Sequence, residues 1–422
     1  MMSGQTDYTA TRDYLNSLKD KGVKYGLDTV RSIVATLGHP EKKFPCIHVA
    51  GTNGKGSTCA MLEAIYRANG YQTGLYTSPH LVHEGEMIQI GRRPLSEIDI
   101  ILYVKKLKPI ASEIEKRYTD GHPSFFELMT IMGFLHFAES KVDLAIIETG
   151  VGGRLDATNV VDPELSIITS VSLDHTELLG DTIDQIAMEK AGIIKPERPV
   201  LIGKLCEEAE SAVRRIALEK DCTVYSVCER FPDIDKLPET NLAGSLQKWN
   251  AAVAAYATEI LNKGFPVDAI KTFPILKSIQ WPGRWQTLQL ADRTLILDAT
   301  HNPEGADMLK ENLESLIQQN QIKPVIITGT TGELRARCLM PIVGRYAREL
   351  YLVTPEQPNA IPSHTLEKHL PDEHEAAVSH SEISALFPAP ETCIAGEPDD
   401  TIVVTGSIYL IGEVLRQLRI RN

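Results

Sequence analysis

A glycine-rich segment near residue 50 joins a predicted buried strand, 46–50, to a predicted helix that runs from Ser57 to about Asn69. A strand, a glycine loop and a helix in this order form the first half of a β-α-β unit, the building block of parallel sheets. The loop reads Gly51-Thr52-Asn53-Gly54-Lys55-Gly56 and is followed by Ser57-Thr58. Glycines there let the backbone curl and direct several N–H groups at an anion near the positive end of the helix. The segment therefore predicts a parallel α/β sheet with a phosphate site at one strand end.

The side chains of this loop favour ATP as the ligand. Lys55 can reach the β- and γ-phosphates, and the hydroxyl of Ser57 or Thr58 can lie near Mg²⁺. The loop is not a strict Walker A sequence, because Val49 stands where the first glycine would be and Gly56 follows the lysine. It also lacks the third glycine of the dinucleotide-binding fingerprint. The alternative is a glycine-rich turn without a ligand, but a strand, loop and helix in register favour phosphate binding.

Short β-branched runs alternate with amphipathic stretches along most of the chain. Continuous apolar strands separated by helices are typical of a parallel sheet that helices cover on both faces. The pattern restarts after Trp281-Pro282-Gly283-Arg284, where a Pro-Gly pair interrupts it. We therefore predict two α/β domains, residues 1–281 and 282–422, with a cleft between them. The other predicted strands are 73–77, 144–148, 165–170, 199–203 and 223–227 in the first domain and 295–298, 325–328, 350–354 and 402–405 in the second.

The composition is that of a globular protein and excludes several classes of function. Of 422 residues, 43% are hydrophobic and 23% are charged, and the formal net charge is −13. A surface this acidic repels phosphodiester backbones, so no nucleic-acid partner is expected. Seven cysteines, an odd number without a C-x-x-C pair, indicate reduced thiols and a cytoplasmic location. No signal peptide is visible and the apolar runs are strand-sized, so no membrane partner is expected.

Polar side chains follow three of the other predicted strands in the first domain. Ser78 comes just after one strand, Glu148 ends the next, and His175 follows the third. Because the carboxyl ends of parallel strands meet at one edge of a sheet, these side chains are predicted to converge beside the glycine loop. Such oxygen ligands suit Mg²⁺, which binds through one or two carboxylates together with water and phosphate oxygens. Each residue alone could instead cap a loop, and histidine is an unusual ligand for Mg²⁺, so the prediction depends on their convergence.

Lys190 lies in a predicted amphipathic helix, 182–194, one turn from Ile186 and from Ile194 on its apolar face. A lysine on a buried face must shift its pKa, pair with an acid or be chemically modified. The alternative is a surface lysine whose aliphatic stem covers apolar neighbours while its ammonium reaches water. The residues alone leave both alternatives open.

The second domain has one strongly polar strand end, which reads Asp298-Ala299-Thr300-His301-Asn302-Pro303. A carboxylate at this place can hold a ribose hydroxyl or orient a neighbouring group. Arg284, just after the predicted boundary, can reach a phosphate from across the cleft. The alternative is an Asx turn followed by a helix N-cap, which is common for Asn-Pro.

Together and in this order, these segments resemble the folylpolyglutamate synthase/dihydrofolate synthase family, within the Mur ligase superfamily. The resemblance extends from about Lys24 to Glu413. The stretches 148–159 and 173–176 separate this family from the peptidoglycan Mur ligases better than the phosphate loop does. The matching segments are 48–58, 76–81, 126–127, 148–159, 173–176, 189–193, 283–286, 297–303 and 406–407.

The resemblance implies an ATP-dependent amide ligase that adds L-glutamate to dihydropteroate and to reduced folates through an acyl phosphate. It implies an α/β fold in which an N-terminal ATPase domain carries the phosphate loop and a smaller Rossmann-like domain follows. It also implies two Mg²⁺ sites, with K⁺ as a candidate further ion, and a bifunctional, monomeric enzyme. Two alternatives remain open from the residues: an amide ligase with a non-folate acceptor, and a phosphate-loop kinase or NTPase that forms no amide.

The resemblance also assigns roles to individual residues. The metal ligands would be Ser78, Glu148, His175 and Lys190, the last as a carbamate. The nucleotide site would consist of Thr52, Asn53, Gly54, Lys55, Gly56, Ser57, Thr58, Asn250, Arg284, Asp298 and His301. The pterin side would be lined by the Tyr25-Gly26-Leu27-Asp28 loop, Pro79, His80, Phe126, Gly152, Gly153 and Arg154. The catalytic residues would be Lys55, His175 and Lys190.

The chain departs from the family pattern at three places. The family usually has an arginine after the glutamate that follows the Ser-Pro-His-Leu loop, whereas here Glu86 is followed by Met87. A common Lys-Asp pair is missing from 329–333, and an expected Pro-Arg reads Pro358-Asn359. The ATP and metal motifs are intact, so the departures concern charges that hold the anionic folate tail or close the domains.

Overall fold

A computed structural model describes residues 2–20, 22, 24, 26–117, 121–300 and 302–419. The chain divides into two compact units. The N-terminal unit contains the residues up to His80, Glu84–Glu239 and Lys248–Ile279. The C-terminal unit contains Leu81–His83, Thr240–Gln247 and the residues from Gln280 onward.

The N-terminal unit is built on an eight-stranded sheet with the order β4-β3-β2-β5-β1-β6-β7-β8. Six neighbouring strands, from β2 to β8 in this order, run parallel, and β3 and β4 add an antiparallel edge. Every residue of β1, β5 and β6 is buried, as expected for strands that helices cover on both faces. The strands are β1 Cys46–Ala50, β2 Thr73–Tyr76, β3 Ile88–Ile90, β4 Arg93–Pro94, β5 Leu144–Glu148, β6 Leu165–Ile168, β7 Val200–Ile202 and β8 Val224–Ser226.

Helices α1 to α11 precede, connect and follow these strands. One apolar core joins α1, α2, α4 and α5 to β1, β2, β3 and β5, and another joins α7 and α8 to β6 and β7. The helices are α1 Met2–Asp20, α2 Asp28–Thr36, α3 Lys55–Ala68, α4 Glu97–Arg117, α5 Phe125–Ser140, α6 Thr176–Leu179, α7 Ile183–Ala191, α8 Glu207–Glu219, α9 Val227–Arg230, α10 Ser245–Leu261 and α11 Ala269–Leu276.

The C-terminal unit has a six-stranded sheet with the order β13-β12-β11-β14-β10-β9. All its pairs are parallel except the antiparallel edge pair of β9 and β10. Two apolar clusters form the core of the unit. Side chains of α15 and α16 contribute to one cluster, and side chains of α12 and α13 contribute to the other. Its elements are β9 Gln286–Gln289, β10 Thr294–Asp298, α12 Pro303–Asn320, β11 Val325–Thr328, α13 Glu333–Tyr346, β12 Glu349–Leu352, α14 Ser363–Leu366, β13 Ala377–His380, α15 Ile383–Leu386, β14 Thr401–Thr405 and α16 Ile408–Leu418.

All the predicted strands are present, with ends that agree to within two residues, but four observed strands were not predicted. The missed strands β3, β4, β9 and β13 lie at or next to sheet edges. Three of them, β4, β9 and β13, have mostly exposed or half-buried residues, so they lack the continuous apolar run of a central strand. Within the part of the chain that the structure describes, no helix has the length and apolar character to cross a membrane.

Candidate active site

The predicted phosphate loop lies between the central strand β1 and helix α3, as the sequence indicates. Gly54 is the N-cap of α3 and has a left-handed backbone, with φ of +82°. A Cβ atom at Gly54 would lie only 2.3 Å from Oδ1 of Asn250. Asn250, on α10, is itself buried. The loop therefore needs a glycine at this place both for its backbone conformation and for the close approach of Asn250.

Residues after β6 hold the phosphate loop from its side. The Thr52 N–H donates to the Ser170 carbonyl at 2.9 Å, and the Ser172 N–H donates to Thr52 Oγ1 at 3.1 Å. The Asn53 N–H donates to Ser170 Oγ at 2.9 Å, and Thr169 Oγ1 donates to the Asn53 carbonyl at 2.6 Å. Sequence reasoning missed this role of the three hydroxyl residues, because the predicted strand 165–170 included Thr169 and Ser170, whereas β6 ends at Ile168. Their hydrogen bonds hold the loop against the segment that follows β6.

Lys55 lies at the start of α3 with its ammonium over the loop. Its Nζ donates to the carbonyl of Gly51 at 3.0 Å and to that of Thr52 at 3.2 Å. Ser57 and Thr58, in the same first turn, are buried. Among the described residues, Thr58 Oγ1 has no hydrogen-bond partner. A mobile cation, a helix N-terminus and a fixed loop at the end of a central strand form an arrangement that can hold phosphate.

Ser78 follows β2, Glu148 is the last residue of β5, and His175 comes after β6. The order β2, β5, β1, β6 places the carboxyl ends of these four parallel strands side by side. The Ser78 N–H donates to Oε2 of Glu148 at 3.3 Å, and Glu148 is 5% exposed. His175 has a left-handed backbone and lies near two carboxylates, 4.0 Å from Asp174 and 3.7 Å from Glu177.

The chemistry of these donors fits Mg²⁺. The Ser78 backbone contacts the Glu148 carboxylate, so a residue with a hydroxyl and a residue with a carboxylate lie at neighbouring strand ends. Mg²⁺ takes hard oxygen ligands and completes its shell with water and substrate phosphate. Within the described ranges, no three His, Cys, Asp or Glu side chains form a group that could enclose a metal ion. An ion at this edge would therefore depend on phosphate and water for much of its coordination.

Lys190 packs against a second glycine-rich loop, Gly150–Arg154, which follows Glu148. Its side chain is on the buried face of α7, and the residue is 3% exposed, so the surface-lysine alternative does not hold. A Cβ atom at Gly153 would lie 2.7 Å from the Lys190 carbonyl, so the loop and the helix meet backbone to backbone. The Arg154 N–H donates to the carbonyl of Glu189 at 2.7 Å, and the guanidinium pairs with the Glu189 carboxylate, also at 2.7 Å.

Aromatic side chains pack against the loops that follow β2 and β5. A Cβ atom at Gly150 would lie 2.7 Å from the ring of Phe126, so this ring lies directly on the glycine loop. The ring of His80, after the cis peptide bond that precedes Pro79, lies 6.3 Å from that of Phe125. The structure thus brings Phe126 together with the Gly150–Arg154 loop.

The remaining residues predicted for the pterin side lie at the start of α2. Gly26 has a positive φ, Leu27 is the buried N-cap, and Asp28 opens the helix. Tyr25, predicted for the same loop, and His301, predicted for the nucleotide, lie outside the described residues.

In the C-terminal unit, Asp298 ends β10 and forms an Asx turn. Its Oδ1 accepts from the Thr300 N–H at 2.9 Å and from Thr300 Oγ1 at 2.6 Å. Burial raises the pKa of Asp298, while these hydrogen bonds and the charge of Arg284 partly offset the effect. Asn302 caps α12 by accepting from the Gly305 N–H at 2.9 Å. The Asx turn and the helix N-cap, which the sequence offers as the alternative to a ligand-binding role, are therefore both present. The charge of Arg284 is near enough to lower the pKa of Asp298 in part.

Known families match nearly the whole chain. Residues 49–250 match the Mur ligase middle domain, and residues 283–408 match the Mur ligase, glutamate ligase domain. The dihydrofolate synthase/folylpolyglutamate synthase of Bacillus subtilis (strain 168) is 32% identical, over 98% of this chain and 100% of the relative. The chain belongs to the dihydrofolate synthase/folylpolyglutamate synthase family. The resemblance inferred from the sequence motifs is confirmed.

Solved structures of this family share the fold. The folylpolyglutamate synthase of Thermotoga maritima superposes with a TM-score of 0.82 and 30% identity, over 98% of this chain and 97% of that chain. Escherichia coli FolC in complex with DHPP and ADP gives a TM-score of 0.81 and 26% identity, over 97% of both chains. The predicted fold class, a phosphate-loop domain with a parallel sheet and a smaller Rossmann-like domain, is confirmed.

Proposed function

We propose that this chain is an ATP-dependent amide ligase that joins L-glutamate to dihydropteroate and, in a second reaction, to reduced folates. The main support for this function is the phosphate loop, which hydrogen bonds hold at the same sheet edge as Ser78 and Glu148, in a chain of this family. The match to a glutamate ligase domain and the DHPP and ADP bound to the Escherichia coli relative support it. The enzyme would act in folate biosynthesis and so supply one-carbon metabolism.

The proposed chemistry has two steps. A free carboxylate is a poor acylating agent because hydroxide leaves poorly, so ATP first converts it to an acyl phosphate. The amine of glutamate then attacks the acyl carbon, and phosphate leaves from the tetrahedral intermediate. The loop N–H groups and the Lys55 ammonium would offset charge on the transferred phosphoryl group and hold it in line. Positioning and electrostatics supply most of the acceleration in such a reaction.

Mg²⁺ would be held by Ser78, Glu148 and His175 and would supply positive charge to the phosphoryl oxygens. We further propose that Lys190 is carbamylated and serves a second Mg²⁺ site through its water shell. Its burial against the Gly150–Arg154 loop supports this proposal, because a buried lysine must pair with an acid, lose its charge or be chemically modified. K⁺ is proposed as a further activating ion.

The nucleotide is proposed to occupy the loop from Thr52 to Thr58, with Asn250, Arg284, Asp298 and His301 as further contacts. The acceptor would lie along the Gly152–Arg154 loop and Phe126, with Pro79 and His80 and the start of α2 beside it. We propose residues 1–281 as the ATP-binding domain and 282–422 as the ligase domain. All seven cysteines are free thiols, which supports action in the reducing cytoplasm, and the enzyme is proposed to be a monomer.

Product masses test this function directly. The protein is incubated with Mg-ATP, K⁺ and glutamate, with dihydropteroate and tetrahydrofolate in parallel. Dihydrofolate from the first reaction establishes the synthase step, and a glutamate-extended folate from the second establishes tail extension. ADP release without any amino-acid acceptor would instead indicate an NTPase. ATP binding without product in either reaction would indicate a ligase with a non-folate acceptor.

Lys55→Ala tests the proposed role of the phosphate loop. We expect ADP formation to be abolished, because the loop loses the mobile cation that hydrogen-bonds its carbonyls. Lys263→Ala, at an exposed position after α10, is the matched control and should keep wild-type activity. Near-normal turnover by Lys55→Ala would contradict the assignment.

A further inference from the structure

Three buried side chains form a series of hydrogen bonds from strand β1 to the Gly150–Arg154 loop, which follows β5. Nε2 of His48, in β1, lies 2.8 Å from Oγ1 of Thr158. The Thr158 hydroxyl donates to Oδ1 of Asp156 at 2.5 Å. Oδ2 of Asp156 in turn accepts from the N–H groups of Gly150, at 2.8 Å, and Val151, at 3.1 Å. His48 is thus connected to the backbone of a loop that follows a different strand.

The donors and acceptors in this series of hydrogen bonds determine the tautomer of His48. Thr158 has one hydroxyl proton and uses it for Asp156, so it can only accept from the imidazole. His48 therefore carries its proton on Nε2. Burial, aided by the charge of Lys195, lowers the pKa of His48 to about 3, which keeps the ring neutral.

The opposite proton arrangement is less favourable. It would require a protonated Asp156 that donates to Thr158, which would then donate to Nε2. The His48 proton would move to Nδ1, which is buried and has no hydrogen-bond partner among the described residues. A buried N–H without an acceptor is costlier than an unused lone pair on a ring nitrogen. Burial raises the pKa of Asp156, but the N–H groups of Gly150, Val151 and Thr158 can only donate, so they offset part of this effect and favour the carboxylate form.

The loop held in this way is the one assigned above to the acceptor. Gly150 lies under the ring of Phe126, and Gly153 lies on the backbone of Lys190. The phosphate loop is held by a separate set of contacts, from the residues after β6. A change at His48 should therefore reach the acceptor loop and leave the nucleotide loop in place.

We propose that His48 is a positioning residue for the acceptor-binding loop, acting through Thr158 and Asp156 on the Gly150 and Val151 amides. The inference depends on the proposed function in that the loop is assigned to the pterin acceptor. His48 touches no reacting atom in this proposal. Its effect is to hold the loop in one position, so it should alter acceptor binding more than ATP binding.

Steady-state kinetics of three variants test the proposal. Thr158→Val removes the hydroxyl at constant shape, and His48→Leu removes the imidazole donor. Both should raise KM for dihydropteroate on the order of tenfold, while KM for ATP stays within about twofold. Thr158→Val leaves the His48 N–H without its acceptor, and His48→Leu removes the donor that holds the Thr158 hydroxyl in place. His48→Gln, which keeps an N–H donor, should stay within about threefold of wild type. Thr258→Val is the control and should match wild type, because the buried Thr258 hydroxyl donates to the Ala255 carbonyl of its own helix.

Two measurements on the same proteins do not depend on turnover. Hydrogen exchange should be faster at residues 150–151 in Thr158→Val and unchanged across residues 51–58. Nitrogen NMR of histidine-labelled protein should show a neutral Nε2–H tautomer in a signal that disappears in His48→Gln. An Nδ1–H tautomer, unchanged exchange at 150–151, or equal rises in KM for both substrates would overturn the proposal. A wild-type enzyme that makes no dihydrofolate, with exchange and tautomer as expected, would instead refute only the acceptor assignment.

Discussion

Replacing Gly54 by alanine should damage the phosphate loop far more than the same change at the other end of the same helix. Gly54 and Gly70 bracket α3, and both have positive φ, +82° and +91°. A Cβ atom at Gly70 would meet nothing within 4 Å, whereas at Gly54 it would lie 2.3 Å from Oδ1 of Asn250. The pair therefore separates backbone strain, which both variants share, from steric displacement, which only Gly54→Ala has.

The magnitudes follow from these distances. A left-handed alanine is about 1 kcal/mol less stable than glycine, and this is the whole expected loss for Gly70→Ala. At Gly54 the Asn250 amide must also move by about 1 Å to restore ordinary contact, and overpacking of a buried side chain costs about 1–3 kcal/mol more. Because the N–H groups of the loop move with it, affinity for ADP should fall on the order of tenfold or more in Gly54→Ala.

The assay combines thermal unfolding with calorimetric titration of ADP. Gly70→Ala should unfold a few degrees below wild type, on the order of 2–4 °C for about 1 kcal/mol, and bind ADP normally. Gly54→Ala should unfold at a clearly lower temperature and bind ADP weakly. The double variant Gly54→Ala/Asn250→Ala should regain stability without regaining affinity. The reasoning is refuted if Gly54→Ala binds ADP like wild type and loses no more stability than Gly70→Ala.

Two further predictions concern Lys190, which is buried, and Lys195, which is half-buried. If Lys190 is carbamylated, Lys190→Ala should lose ADP release and regain part of it with added acetate or another short carboxylate. No rescue, together with an unmodified lysine mass in active wild type, would contradict the carbamate. Burial lowers the pKa of Lys195 to about 8 from its usual 10.5. Between about pH 8 and pH 10.5 the lysine is therefore protonated in the unfolded chain and neutral in the folded one. Because the unfolded state binds more protons, the free energy of unfolding rises with pH in this range. Urea unfolding should show the wild type gaining ~1–3 kcal/mol over Lys195→Met across that window, and a constant difference would count against the shifted pKa.

The parts of the fold that could be predicted are those in which local pattern and tertiary role coincide. The run from Cys46 to Ala50 is apolar except for His48 because β1 is central and covered on both faces, and Gly54 is glycine because the loop bends there. The edge strand β9, from Gln286 to Gln289, alternates half-buried and exposed residues and gives no such signal. Its place follows from pairing with β10, which is a tertiary fact.

In the candidate site, too, the sequence identifies only those residues whose own chemistry and position indicate their role. Lys55 and Glu148 are recognisable because their chemistry and strand-end positions point to phosphate and metal. Ser170 and Thr158 are not, because a hydroxyl in a loop has no chemistry of its own until its partner is known. Their partners, Asn53 and His48, are more than 100 residues away in the chain, with separations of 117 and 110 residues. Only the strand order that brings β1 between β5 and β6 places them together.

The same reasoning changes the meaning of the departures from the family pattern. Met87 is buried in the apolar core of the N-terminal unit, so a charged side chain at this position could not simply take its place. The other two departures, 329–333 and Asn359, are about 25 residues apart but form one structure, since the Gly332 N–H donates to the Asn359 carbonyl at 3.2 Å and Thr331 bridges Ala360. Losses of a lysine and an arginine that look independent in sequence therefore alter a single surface of the C-terminal unit. Any change in folate-tail length that they cause should be restored by basic substitutions at both places together, and little by either alone.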